Sequence, residues 1–239
     1  MRKFVDLHLC APTDNLKQVE RMVNISAELG YRVVGIPLSP NVSQEKIRQI
    51  EEICNNAKVE FVTRIDLMPK TSNELLNNLG RLRRKFEIVS VACTSKNVAR
   101  QAAKDRRVDL LSPCVAFPCK RFFDYAEAEL ASKKLVSLEI DMTLILSSNG
   151  FPRIRLLSSL RREVAVARKF DIPITVSSGA SEENFLRSPQ DYVALSTLFD
   201  LPVSRVLQAL SDSPLSIVER NRGKLSPHYV APGVRVVGG

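Results

Sequence analysis

Phe4-Val5-Asp6-Leu7-His8-Leu9-Cys10 opens the chain as an apolar run interrupted by Asp6 and His8. Side chains alternate along a strand, so the carboxylate and the imidazole share one face. Such a pair at a strand end begins many metal-dependent hydrolase sites. The partners that chemistry needs are scarce, because the chain has two histidines, His8 and His228, and position 10 is a cysteine.

Outward from this strand the sequence repeats a beat. Apolar, β-branched runs start near Phe4, Tyr31, Val59, Phe86, Val108, Leu135 and Ile174, and the first three gaps are 27, 28 and 27 residues. One βα unit has that length, and repeated units predict a parallel sheet with helices outside it. Helix starts fall between the runs: Asp14, Ser43, Ser72, the Ser188-Pro189-Gln190-Asp191 box and Ser213-Pro214. No eighth strand follows Ile174, and the tail offers only Val234, Val236 and Val237. The fold class is α/β: a TIM-barrel-like (β/α) barrel of about seven strands, with an open doubly wound sheet as the alternative. No GxGxxG follows a strand, which argues against a dinucleotide site. Residues 1–239 read as one domain with a flexible tail at about 227–239.

Hydrophobic residues make up 44% of the 239 and supply a large core, yet no run approaches a membrane span. Arg2 and Lys3 lead straight into the first strand rather than into a signal peptide. Five cysteines without a CxxC indicate a reducing compartment, hence a cytoplasmic protein. Cys114 and Cys119 lack a second pair, so no structural zinc is expected. A net charge of +9 calls for an anionic partner, with nucleic acid ahead of an acidic protein.

In a barrel, functional side chains gather at the C-terminal ends of the strands. There the sequence offers Asp6, His8, Arg64, Asp66, Thr94, Ser112, Glu139, Asp141, Ser177 and Ser178. A magnesium site from Asp6, Glu139 and Asp141 is one reading; carboxylates paired with Arg64 is the preferred one. The barrel-mouth cluster is therefore Asp6, His8, Glu139, Asp141, Ser177 and Ser178, with no metal and no cofactor on the protein. The small-residue turn Val176–Ala180 is a phosphate loop or a plain tight turn. No nucleophile motif is present, Cys10 and His8 are expected not to serve one substrate, and no catalytic residue is assigned.

The basic clusters are the stronger signal. Arg81-Leu82-Arg83-Arg84-Lys85 is followed by Lys96, Arg100 and Lys104 on one helical stripe, then by Arg106 and Arg107. Nine Lys/Arg lie between 81 and 107 against Glu87 and Asp105 alone. Such a patch neutralises phosphates with salt-dependent, sequence-independent affinity. Smaller clusters are Arg153/Arg155, Arg161/Arg162, Arg168/Lys169 and Arg220/Arg222/Lys224. Phe117, Phe122, Phe123 and Tyr125 surround Lys120-Arg121, a group that reads first as an apolar seam and second as a base-stacking surface.

Six segments in order carry a resemblance. They are Phe4-Val5-Asp6-Leu7, Leu29–Ile36, Arg64-Ile65-Asp66-Leu67, Val108-Asp109-Leu110-Leu111, Val176-Ser177-Ser178-Gly179-Ala180, and Arg187-Ser188-Pro189-Gln190-Asp191 running on to Leu198-Phe199-Asp200-Leu201. In this order the chain resembles the ribonuclease P protein component 3 family of archaea, whose eukaryotic relative is a nuclear RNase P/MRP subunit. The resemblance implies a seven-stranded barrel related to the polymerase-and-histidinol-phosphatase barrels but without their histidines. It implies an RNA-binding subunit of the ribonucleoprotein endonuclease that removes the 5′ leader from precursor tRNA. The chemistry and its magnesium would belong to the RNA. Partners would be RNase P RNA, precursor tRNA, a smaller RNase P protein subunit and other RNase P proteins, with no membrane. RNA-binding residues would be Arg64, Arg81, Arg83, Arg84, Lys96, Arg100, Lys104, Arg106 and Arg107. Two rival functions stand beside it, a metal-dependent phosphoesterase and a barrel kept as a protein-interaction scaffold.

Overall fold

The βα beat becomes a barrel wall. A computed structural model describes residues 2–112 and 122–226, with the backbone of 229–231 and 234–235 beyond them. Seven parallel strands follow chain order around the wall: β1 (Phe4–Asp6), β2 (Tyr31–Pro37), β3 (Glu60–Leu67), β4 (Ile88–Ala92), β5 (Leu110–Ser112), β6 (Ser137–Asp141) and β7 (Ile174–Ser177). Around them lie α1 (Leu16–Glu28), α2 (Gln44–Asn56), α3 (Ser72–Leu82), α4 (Lys96–Lys104), α5 (Tyr125–Ser132), α6 (Thr143–Ser147), α7 (Gly150–Lys169), α8 (Pro189–Ser196), α9 (Val203–Ala209) and α10 (Asp212–Leu225). The tail candidate Val234 joins no barrel strand. Tyr229–Ala231 (β8) and Val234–Arg235 (β9) pair with each other, antiparallel, as a separate two-stranded sheet.

Helix starts follow the capping residues, with three shifts of a residue or two. Asn15 rather than Asp14 caps α1, Thr71 rather than Ser72 caps α3, and Ser213 lies inside α10, whose cap position is Ser211. Ser43 caps α2 as expected, and Ser188 and Asp191 complete a capping box on α8 with Pro189 in the first turn. A wall of seven parallel strands leaves a seam between β1 and β7. At the mouth it is stitched by the Leu9–Ala180 bridge and by Gly179 N–H donating to His8 O at 2.9 Å. At the other end the Val5 amide donates to Leu210 O at 2.8 Å, so the end of α9 fills the place of an eighth strand.

Two apolar layers result. Outward-facing wall residues and the helices form the larger core. Inward-facing Val5, Leu7, Val33, Val62, Ile88 and Leu110 form a smaller one with Ile217 and Val218 of α10. The last helix therefore plugs the barrel at the N-terminal end of the strands. Its polar side chains finish the job: Arg222 bonds Glu60, Glu87 and Phe61 O, Arg220 bonds Asp109 and Leu135 O, and Asn221 donates to Glu87 O. Arg220 and Arg222, counted in the sequence as a surface cluster, are structural clamps on the starts of the third to sixth strands.

Candidate functional site

With the bottom plugged, the strand ends opposite must satisfy their own polar groups. Period-2 alternation sends Arg64 of β3 inward, where it is fully buried. Its Nη1 and Nη2 donate to the two Glu139 oxygens at 2.6 and 2.7 Å, its Nε to Asp66 at 2.7 Å, and Nη1 also to Leu7 O at 2.9 Å. Glu139 further accepts from Ser177 at 2.9 Å and from Ser90 at 3.4 Å. The buried guanidinium holds Glu139 below its ordinary range against the opposing effect of burial. Arg64 cannot contact RNA from this position, which corrects its place among the expected RNA-binding residues. The preferred sequence reading of the mouth, carboxylates paired with Arg64, describes what is found.

His8 continues the chain of charges. Its Nδ1 lies 2.9 Å from Asp141 and its Nε2 3.2 Å from Asp66. Burial and the Arg64 charge push its pKa down, but Asp141, Asp66 and Cys10 outweigh them, and it stands well above the ordinary value. Two cations, His8 and Arg64, thus interleave with three carboxylates, Asp66, Glu139 and Asp141. Cys10 Sγ lies 3.0 Å from His8 Nε2. The two side chains touch because the regular strand ends at Asp6 and the chain bends there.

Asp6 stands apart from this network. Its Oδ1 accepts from the His8 amide at 3.1 Å and the Ser178 amide at 2.9 Å, while its Oδ2 has no partner among the described residues. Burial raises its pKa past the lowering effect of those bonds, so Asp6 retains a proton more readily than a free carboxyl. The turn after β7 is equally committed: Ser178 N goes to Asp6, Gly179 N to His8 O and Ala180 N to Ser178 Oγ. It offers no amides to a phosphate and is a tight turn with Gly179 at φ +62°.

His8, Glu139 and Asp141 come close enough together to be considered for a metal ion. The donor chemistry does not fit one. Both Glu139 oxygens hold a guanidinium, both His8 nitrogens face carboxylates or a thiol, and Arg64 supplies the central positive charge that an ion would. Asp6 does not join the group, so the magnesium set Asp6, Glu139 and Asp141 does not assemble around one point.

The other expected RNA-binding residues lie outside the barrel. Arg81, Arg84, Lys96, Arg100, Lys104 and Arg106 are exposed, as is Lys85 beside them. Arg83 is half-buried and paired with buried Asp109 at 3.2 Å, and Arg107 clamps Asp105 at 2.7 Å. Arg100 reaches Glu127, a buried carboxylate, at 3.3 Å. Arg81, Arg84, Lys85, Lys96, Lys104 and Arg106 have no ion pair with a described residue. Phe122 and Phe123 pack against the core as an apolar seam, whereas Tyr125 meets Phe170 edge-on under the Lys169 ammonium. Cys114, Phe117, Cys119, Lys120, Arg121 and His228 lie outside the described residues.

The family model described as RNase P subunit p30 matches residues 3–226. The chain is 30% identical over 236 residues to ribonuclease P protein component 3 of Methanosarcina barkeri, covering 98% of this chain and 96% of that one. It is also 30% identical over 238 residues to the Methanosarcina mazei protein of the same name, covering 99% and 97%. Among solved structures, a chain from the cryo-EM structure of archaeal ribonuclease P with mature tRNA superposes with a TM-score of 0.84 at 20% identity, over 98% of both chains. The fold likeness spans the whole barrel, and the chain belongs to the RNase P subunit p30 family.

Proposed function

We propose that the chain is an RNA-binding protein subunit of ribonuclease P, which helps a catalytic RNA remove the 5′ leader from precursor tRNA. The observation that carries this reading is a division of charge. The mouth neutralises itself, with each cation between carboxylates, while six cations of the stretch 81–107 stand outside without an ion pair among the described residues. The relatives' name and the assembly that holds the superposable chain support the same reading. The protein's part is electrostatic: lysines and arginines screen phosphate repulsion, so that RNA and substrate meet at lower magnesium. It binds no metal of its own, and the cleavage chemistry and its ions are the RNA's. No helix among the described residues is long and apolar enough to cross a membrane.

Reconstitution tests it. The purified chain alone is expected to leave a labelled precursor tRNA intact. Added to cognate RNase P RNA with the smaller protein subunit, it is expected to bring cleavage to lower magnesium. Turnover by the protein with a divalent ion and no RNA would instead establish the phosphoesterase reading. Binding to protein partners with no retention of RNA at low salt would establish the scaffold.

A further inference from the structure

The free cations are not spread evenly around the barrel. Each connection from a helix to the next strand lies at the end opposite the mouth. Arg84 and Lys85 occupy the turn between α3 and β4, Asp105, Arg106 and Arg107 the turn between α4 and β5, and Lys133 and Lys134 the turn between α5 and β6. β4, β5 and β6 are consecutive in the sheet, so these turns are neighbours. Gln101, Lys104, Asp105, Arg106, Arg107 and Lys134 line one open groove there.

That groove holds four cations and one carboxylate. Asp105 is already spent, accepting from Arg107 N at 3.0 Å, Nε at 2.9 Å and Nη2 at 2.7 Å. The acids at the starts of β3 to β5, Glu60, Glu87 and Asp109, are held by Arg222, Lys3, Arg83 and Arg220. Around these strands the anions are thus turned inward and the surplus positive charge outward. Lys224 shows the crowding: burial first, then Arg220, Arg83 and Arg106, push its pKa down, with Asp109 opposing. A polyanion laid across the face relieves that repulsion.

We propose that the phosphate backbone of RNA docks across the N-terminal end of the barrel strands, centred on the Lys104–Arg106–Arg107–Lys134 groove and not on the mouth. The proposal rests on the RNA-binding reading and adds which end of the barrel serves it. Among the described residues, the groove lining contains no aliphatic or aromatic side chain. A protein partner needs buried apolar anchors for most of its binding energy, whereas a phosphate backbone needs only charged and polar donors.

The test uses the full chain, a labelled fully paired RNA hairpin and fluorescence anisotropy across a potassium chloride series. Lys104→Glu/Arg106→Glu/Lys134→Glu is compared with Lys17→Glu/Lys46→Glu/Arg48→Glu on α1 and α2, a variant with the same change in net charge. Losing three phosphate contacts lowers the slope of log affinity against log salt by about two to three, and affinity falls at least about tenfold at low salt. The control variant keeps the native slope. Lys104→Gln/Lys134→Gln, a milder change, lowers the slope by about one to two if the fold of the triple variant suffers. Equal loss in the groove and control variants, or a native slope in the groove variants, overturns the placement while leaving the RNA-binding reading intact. No salt-dependent binding by the native chain overturns both. Loss of polyglutamate binding with hairpin binding unchanged would assign the groove to an acidic protein and overturn the proposal.

Discussion

Arg64→Met removes the guanidinium and keeps most of the side chain's volume. In the native mouth that group donates twice to Glu139 and once each to Asp66 and Leu7 O. Without it, Glu139, fully buried, keeps only the hydroxyls of Ser177 and Ser90, and His8 alone faces three carboxylates. Removing one partner of a buried pair costs about 3–5 kcal/mol, because the other charge is left uncompensated. At about 2–4 °C per kcal/mol for a chain of this size, the melting temperature should fall by about 6–20 °C. Glu139 escapes part of the cost by taking up a proton. Its native pKa is lowered, so its contribution is present above the ordinary glutamate value and disappears as pH falls through the lower folded value. In the variant the carboxyl is raised instead, and the loss relative to the native protein is smaller at pH 4 than at pH 8. Urea unfolding followed by circular dichroism at both pH values measures this. Arg64→Met/Glu139→Leu should recover part of the loss, since an apolar pair replaces an ionic one at little net cost. The reasoning fails if Arg64→Met unfolds within about 0.5 kcal/mol of the native protein, the range of an ordinary surface change. It fails equally if the folded variant loses RNA-hairpin affinity as the groove variant does.

His8 makes the alkaline limb of stability. Its folded pKa lies well above the ordinary value, so its contribution is complete below about pH 6.5 and is lost as pH rises through the folded value. His8→Gln is expected to be less stable at pH 6 and to show a flatter decline toward pH 10 in urea titrations; an unchanged alkaline decline would contradict the paired imidazolium. Gly35→Ala places a Cβ 2.5 Å from Leu7 O, a backbone atom that cannot swing aside. Overpacking of this kind costs about 1–3 kcal/mol, read as a lower urea midpoint with unchanged slope. Ile217→Ala empties part of the plug and should cost about 2–5 kcal/mol; a native midpoint would mean that α10 does not seal the inner core.

The barrel was legible because its signal is local and repeated. Runs starting near Phe4, Tyr31, Val59, Phe86, Val108, Leu135 and Ile174 mark β1 to β7 within two residues. Pairing at long range was harder to read. Arg64 and Glu139 lie 75 positions apart, and only the barrel rule that gathers strand ends at one mouth brings Arg64 to its carboxylates in the sequence. The same arginine also stands among the RNA contacts that the resemblance implies, and its complete burial decides between the two placements. Arg220 and Arg222 read as a basic cluster because their partners, Asp109 and Glu60, are 111 and 162 residues away. The basic surface was legible in composition, but its concentration at one end of the barrel required knowing that three successive helix-to-strand turns are neighbours.

The plug has a consequence for the order in which the molecule can form. β1 is made first, yet its amide at Val5 waits for the carbonyl of Leu210, and its inward side chains wait for Ile217 and Val218. Loop-closure entropy must be met before such distant contacts give anything back, which makes them slow. During synthesis the first six strands can pair in turn with their neighbours, but the hollow they surround stays wet. Only when α10 has left the ribosome can the inner core dry. The strand that begins the chain is therefore the last to be completed, and the commitment to a native fold is made by the helix that follows every strand of the wall.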